Sequence, residues 1–260
     1  MTEPANRALD AYHRTLTSVS GEPTVWWYLG TTTFAGEGHS EIVVNHVETV
    51  MIYRSEPLAN GGFRVPWWEI GLFRDAITGE IASDWTNPLT GETFAAGRTF
   101  EEGPSGYTIQ PGGNDTGGIE LVDAVQAFAK MDHASVTMTE ADGRVCLTQR
   151  EEKLRSFPQA GGIPDLDAGL SSRSKTVLQW YASAADLAGT APSVPATGFY
   201  SFEIGAPPWL GMGERKGVFS VKGLMVKADL AAPLNPRGWA QLKELFPQYF
   251  EGDEIKPRWS

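Results

Sequence analysis

The sequence is dominated by segments with the character of β-strands, separated by short turns. These segments are rich in β-branched and aromatic residues, and Gly, Pro, Asn and Asp lie between them. They are TVWWYLGTTTF, EIVVNHVETVMIYR, FRVPWWEIGLF, SVTMTE, RVCLTQREEKLR, KTVLQWYA, GFYSFEIG and GVFSVKGLMVKADL. Strands and helices do not alternate regularly, which argues against a parallel, doubly wound sheet. We therefore predict a mainly β protein, with roughly eight to ten strands in a large antiparallel β-barrel or strongly curved sheet.

Three segments have apolar residues at helical spacing, and we expect these helices to pack on the outside of the barrel or across its ends. The predicted helices span residues 4–20, 118–132 and 235–247, and the 260 residues are predicted to form a single domain. In the central segment, Leu121, Val125 and Phe128 fall on one helical face. In the last one, Asn235 can cap the helix and Pro236 suits its first position.

A short phrase occurs twice, as DAITGE from Asp75 and as NPLTGE from Asn87. An Asp or Asn side chain can begin a type I turn, and a glycine four positions later can take the positive φ that closes a hairpin loop. We therefore interpret the two phrases as paired hairpin turns on either side of the short strand EIASDW. This interpretation makes them part of the scaffold, and not a ligand-binding motif.

Two pairs of adjacent tryptophans constrain both faces of the sheet. Neighbouring residues of a strand point to opposite faces, so Trp26/Trp27 and Trp67/Trp68 each place one indole on each side. Both faces must then be covered, one by the barrel interior and the other by helices or by a second subunit. On this basis we predict a homodimer, which light scattering at micromolar concentration would test.

The composition limits the possible partners. The formal charge of -11 argues against a nucleic-acid partner and against an anionic membrane surface. The chain shows no signal-peptide pattern and no apolar run of membrane-spanning length, so we expect a cytoplasmic protein. A single cysteine excludes an internal disulfide, and the four histidines lack metal-ligand spacing, so we expect neither a metal nor a cofactor.

Polar residues inside otherwise apolar strands are the candidates for chemistry. His46 shares a strand face with Glu48, so it is either a general acid or base inside a barrel or an ordinary surface residue. Lys222 interrupts VFSVKGLMV, and it is either a desolvated amine suited to proton transfer or a lysine that extends from the outer face. Arg54, Arg150, Tyr181 and Tyr200 lie in similar positions.

Two phrases carry a resemblance to a known family: WTNPLTGE at residues 85–92 and FPQYFEGDEIKPRW at residues 246–259. Together they resemble the family catalogued as domain of unknown function 1838, and the resemblance extends through most of the chain. That family has no agreed catalytic residues, so none is transferred to this sequence. Similar sequences occur in bacteria that degrade lignin-derived aromatics, and one branch is associated with phenylcoumaran γ-formaldehyde lyase activity.

The resemblance implies a lyase without a cofactor that opens the ring of a small phenolic dimer and releases formaldehyde to give a stilbene. Such chemistry needs a cation near a phenolate, an acid, a base and flat apolar walls. Arg54 or Arg150 is then the candidate cation, Tyr200 or Lys222 the acid, and His46 the base. The candidate substrate-binding residues are Trp27, Trp68, Trp180, Tyr181 and Tyr53.

Two other functions fit the same sequence. A related enzyme would isomerise or cyclise another hydrophobic ring compound with the same acid and base. Alternatively, a barrel of this kind would hold a hydrophobic ligand without turnover, as lipocalin-like proteins do.

Overall fold

The computed structural model confirms the prediction of a mainly β fold. It describes residues 3–36, 38, 40–82, 84–95, 99–112, 119–125, 129–156, 171–205, 217–228, 235–252 and 254–256. The strands of the main sheet are β1 (Thr24–Gly36), β2 (Ile42–Tyr53), β3 (Glu56–Pro57), β4 (Phe63–Arg74), β7 (Thr99–Pro111), β8 (Ile119–Val125), β9 (Ala129–Ala141), β10 (Arg144–Ser156), β11 (Ser171–Ser183), β12 (Ala196–Gly205) and β13 (Gly217–Ala228). Two small hairpin sheets pair β5 (Asp84–Thr86) with β6 (Thr93–Ala95), and β14 (Phe250–Glu251) with β15 (Glu254–Ile255).

The main sheet is antiparallel and nearly closed into a barrel. Its strand order is β8-β7-β4-β2-β1-β13-β12-β11-β10-β9, with β3 added beside β4. The two end strands, β8 and β9, lie against each other. Because β1 pairs with β13, the first long strand of the chain lies beside the last one.

The described residues contain three α-helices: α1 (Glu3–Leu16), α2 (Ala184–Ala188) and α3 (Pro236–Leu245). The predicted first and last helices are confirmed, although α1 ends before residue 20, and Pro236 begins α3 as expected. A 3₁₀ turn, Pro247–Tyr249, follows α3. None of the described helices is long and apolar enough to span a membrane.

The predicted central helix at residues 118–132 is wrong. Residues 119–125 form β8 and residues from 129 onward form β9, while Phe128 lies outside the described residues. Ile119 and Leu121 are both buried on one side of β8, where they face Pro111 and Ile109 of β7. An apolar residue at every second position is strand periodicity, and pairing with β7 overrides the helical stripe.

The tryptophan pairs occupy both faces of the sheet, as predicted. Trp26 and Trp67 belong to the cluster inside the barrel, whereas Trp27 and Trp68 belong to a second cluster on the outer face. Around these two indoles the outer face is covered by α3 and the 3₁₀ turn, since the Trp27 ring lies 5.9 Å from Trp239 and the Trp68 ring 5.1 Å from Tyr249. This cover comes from the same chain, so the outer indoles do not require a second subunit, and the homodimer stays a prediction.

Helix α1 packs against the concave face of the sheet and closes one end of the barrel. Its buried residues Leu9, Tyr12 and Leu16 join the interior cluster. The Lys227 ammonium donates to three carbonyl oxygens at the end of α1, those of Arg14, Thr15 and Thr17, at 3.0, 2.7 and 3.2 Å. These bonds satisfy carbonyl groups that a helix C-terminus leaves unpaired.

The repeated phrase forms two turns of the same design, as predicted. The Gly79 amide donates to the Asp75 carbonyl at 2.9 Å, and the Gly91 amide donates to the Asn87 carbonyl at 2.8 Å. Both glycines have positive φ, 69° and 75°. The strand predicted between the turns is interrupted, because Ile81 forms an isolated bridge to Arg74 and the next strand, β5, begins only at residue 84.

Replacing Gly91 with valine should lower the free energy of unfolding by about 1–2 kcal/mol, because a β-branched residue is strained at positive φ. Urea unfolding monitored by tryptophan fluorescence measures the change. Gly91→Asn is the control, since asparagine tolerates this conformation and should cost less. Equal losses for the two variants would show that the backbone conformation at this turn is not the cause.

Candidate functional site

The ten candidates from the sequence are divided between the two faces of the barrel. His46 and Lys222 line one cleft of about 430 Å³ on the outer face, together with Glu48, Arg74 and Asn235. We call this space the outer cleft. The His46 Nδ1 atom lies 3.0 Å from the Thr31 hydroxyl, so the histidine is positioned by a neighbouring strand.

Glu48 lies at the base of the outer cleft and is only 1% exposed. Its carboxylate accepts hydrogen bonds from Arg74 Nε at 2.8 Å and from Asn235 Nδ2 at 2.6 Å. The first turn of α3 lies directly over it, since a Cβ atom on Gly238 would come within 2.2 Å of a Glu48 oxygen. The carboxylate therefore fastens α3 to the barrel, and its hydrogen bonds go to α3 and β4 and not to His46.

Lys222 extends from the outer face into solvent. Its side chain is 47% exposed, and its Nζ atom lies 3.0 Å from Glu203 Oε1. The neighbouring Leu224 is exposed as well. Of the two interpretations of Lys222 offered by the sequence, the structure therefore supports the surface lysine.

Most of the other candidates also lie away from the interior. Trp27 and Trp68 are buried under α3 and the 3₁₀ turn, Arg54 pairs with Glu56 just after β2, and Arg150 and Tyr181 are exposed. Three candidates do lie inside the barrel. Tyr53 lies beside Trp67, Trp180 makes an edge contact with Tyr12, and Tyr200 packs against the interior cluster.

Several residues that pack against the interior cluster are only partly buried, so the part of the barrel interior that they line is accessible to water. We call this part of the interior the lumen, and these residues are its walls. They include Phe73, Phe100, Tyr107, Met138, Leu178, Tyr200 and Val221. A largely apolar and aromatic concavity with a few polar groups is the usual form of a small-molecule site.

Glu69 contributes a carboxyl group to this lumen. It lies two residues after Trp67 on the inward face of β4 and opposite Met51 of the interior cluster. The residue as a whole is partly buried, and its carboxyl group is desolvated by the surrounding protein. This desolvation, with a smaller effect of the nearby Glu102 charge, raises the pKa of Glu69 to about 8, although Thr49 lowers it in part. The carboxyl group is therefore mainly protonated at neutral pH.

Two tyrosines meet at right angles next to this group. The rings of Tyr28 and Tyr200 are 5.4 Å apart, with an interplanar angle of 79°. Tyr28 lies over Gly30, where a Cβ atom would come within 2.0 Å of the tyrosine hydroxyl. Burial raises the pKa of Tyr28, with smaller contributions from Tyr200 and Glu69. The Tyr28 hydroxyl is buried and has no hydrogen-bond partner among the described residues, so its proton is available to a bound ligand.

A charged network crosses the same interior. Tyr12 donates to Gln149, Gln149 donates to Glu151, and the Lys153 Nζ atom lies 2.5 Å from Glu151 Oε2. Gln149, Glu151 and Lys153 are all buried. The network links α1 to strand β10 within the barrel.

The sequence contained a signal for the residues that were missed. Val145 and Leu147 are apolar and buried, and every second residue after them shares their face, which places Glu151 and Lys153 inside. Arg150, chosen from the sequence, belongs to the opposite face. In the same way, Glu69 lies two residues after Trp67 and therefore shares its strand face. Once the Trp67 indole is placed inside the barrel, the alternation of side chains places Glu69 inside as well.

The described residues contain no group of three or more His, Cys, Asp and Glu side chains arranged to hold a metal ion. Comparison with known proteins finds no matching family model and no matching curated protein.

Proposed function

We propose that the chain is a lyase that binds a phenolic dimer of the phenylcoumaran type in the lumen and releases formaldehyde from it. The observation that carries the proposal is Glu69, a carboxyl group kept neutral inside a lumen with aromatic walls. A group with a pKa near the working pH is suited both to donate and to accept a proton. The choice of reaction follows the family resemblance of residues 85–92 and 246–259.

The reaction requires one proton to be given and one to be taken. An ionised phenol expels the ring ether oxygen, the Cα–O bond breaks, and the departing oxygen takes a proton, which leaves a quinone methide. A base then removes the proton of the γ-hydroxyl group. The Cβ–Cγ bond breaks, formaldehyde leaves, and the electron pair forms the double bond of a stilbene while the quinone methide returns to a phenolate.

Glu69 can serve both steps in turn. Its neutral carboxyl group protonates the departing oxygen, and the carboxylate that results takes the γ-hydroxyl proton, so the residue ends the cycle protonated. The Tyr28 hydroxyl can donate a hydrogen bond to an oxygen that gains negative charge. Tyr200, Phe73 and Phe100 supply flat apolar walls.

Incubation with a phenylcoumaran alcohol tests the proposal. We expect near-ultraviolet absorbance from a stilbene together with one formaldehyde per substrate. Glu69→Gln should reduce turnover by about 10²–10⁴-fold, because it removes the transferable proton. His46→Ala and Lys222→Met are the controls, since both residues lie on the outer face, and these variants should keep their turnover.

Three results would contradict the proposal in different ways. If the outer-face variants lose turnover and Glu69→Gln keeps it, the reaction takes place in the outer cleft. If the ligand binds tightly but is recovered unchanged, the barrel is a carrier of hydrophobic molecules, a function that its open lumen also favours. An isomer or a cyclised product without formaldehyde would show that the chain is an isomerase or a cyclase of a hydrophobic ring compound.

The pH dependence of turnover should report Glu69. We expect kcat/KM to fall as the pH rises through about 8, since the first step needs the protonated carboxyl group. Glu102→Gln removes a nearby negative charge that raises this pKa, so the fall should move to lower pH. An unchanged pH profile in Glu102→Gln would show that Glu69 does not control the rate.

A further inference from the structure

Lys153 places a positive charge inside the barrel. Its side chain lies on the inward face of β10 with Val145, Leu147, Gln149 and Glu151. Lys153 is 5% exposed and Glu151 is 4% exposed. Removing both charges from water is costly, and a buried ion pair adds little to stability compared with apolar residues of similar volume. A contribution to stability therefore does not explain why the pair is buried there.

The hydrogen bonds of the pair are unevenly distributed. Glu151 is engaged on both oxygens, by Gln149 on Oε1 and by Lys153 on Oε2. An ammonium group has three N–H donors, and within the part of the chain that the structure describes, Glu151 is the one acceptor that Lys153 contacts. Buried donors without acceptors are unfavourable, so a ligand that supplies an acceptor gains from binding there.

The Glu151 charge acts on inward-facing tyrosines of other strands. It contributes to raising the pKa of Tyr53 on β2 and of Tyr107 on β7. Ser174 of β11, itself buried, lies directly across from Lys153. Lys153 of β10 and Glu69 of β4 thus both lie on inward faces, on strands that are not neighbours in the sheet.

We propose that Lys153 binds an aromatic ether or phenol oxygen of the ligand and stabilises the negative charge that develops on it. This inference rests on the proposed function. Glu151 balances the lysine charge before reaction, so a neutral oxygen is accepted, and the free N–H donors favour the same oxygen once it becomes a phenolate. Lys153 thereby takes the role that the sequence suggested for Arg54 or Arg150.

Binding of 4-nitrophenol tests this role without turnover, because its phenolate absorbs visible light and its neutral form does not. The wild-type protein should lower the pKa of bound nitrophenol by about 1–3 pH units, as expected for a nearby cation. Lys153→Met should abolish the shift. Lys175→Met is the matched control, because Lys175 lies on the neighbouring strand and is exposed on the outer face, and it should keep the shift.

Lys153→Met leaves Glu151 buried without its cation and is at risk of failing to fold. The double variant Glu151→Gln/Lys153→Met removes both charges and should fold, yet it should also lose the shift. The inference is overturned if nitrophenol fails to bind the wild-type protein, or if the double variant retains the full shift. A retained nitrophenol shift without any stilbene or formaldehyde would overturn the proposed reaction and leave the role of Lys153 supported.

Discussion

Replacing Arg74 with methionine should lower the free energy of unfolding by about 3–5 kcal/mol, because it leaves the buried Glu48 carboxylate without its cation. Arg74 also donates to Gln241 of α3 at 2.8 Å, so one side chain holds the barrel and the helix together. Urea unfolding measures the loss. The expected cost is large because Glu48 has almost no access to water that could replace the arginine.

Two further variants separate the buried charge from other causes. Arg237 pairs with Glu80 on the surface, and its side chain is 57% exposed. Arg237→Met should therefore change stability by only about 0–1 kcal/mol. Glu48→Met/Arg74→Met removes both buried charges and should recover much of the loss. If the double variant is no more stable than Arg74→Met, the unpaired carboxylate is not the source of the cost.

Replacing Glu69 with glutamine should make the protein more stable at pH 8 than the wild type. The pKa of Glu69 is about 8 in the folded protein against an ordinary value of 4.5, so between these pH values the folded state holds a proton that the unfolded state has lost. Wild-type stability should then fall as the pH rises from 4.5 to 8, by up to about 1.4 kcal/mol per pH unit from this group, and should level off above pH 8. Glutamine does not titrate, so this contribution disappears.

The measurement is the difference in unfolding free energy between wild type and Glu69→Gln at several pH values, in which the other titrating groups cancel. The difference should grow from pH 4.5 to pH 8. Glu102→Gln should give a smaller effect of the same sign, because it only removes one cause of the raised pKa. Parallel stability curves for wild type and Glu69→Gln would mean that the carboxyl group is ionised in the folded protein at neutral pH.

Much of the fold was predictable because alternation is a local property of the chain. Adjacent indoles in Trp26/Trp27 and Trp67/Trp68 must lie on opposite faces of a strand, whatever the topology. The central helix was mispredicted because Leu121, Val125 and Phe128 suit a helical stripe, while the pairing that makes residues 119–125 a strand involves β7. Local periodicity contains no information about that partner.

The site was harder to predict because it depends on which face of each strand points inward. Shifting the assignment by one residue moves every side chain of a strand to the other face. Arg150 and Lys153 illustrate this, since the first lies on the outer face and the second inside the barrel. His46 and Lys222 were proposed as acid and base inside the barrel, but both line the outer cleft.

The bonds between Lys227 and the end of α1 have a consequence for the order in which the chain folds. In the sequence, Lys227 lies 210 to 213 residues after the three residues at the end of α1 whose carbonyl groups accept its hydrogen bonds. During synthesis α1 therefore emerges first and must wait for nearly the whole chain before its final contacts are available. Contacts of such long sequence separation slow folding and leave apolar surface exposed meanwhile. We expect chains that stop before β13 to aggregate, because β1 and β12 then lack the strand that pairs with both of them and the end of α1 lacks Lys227.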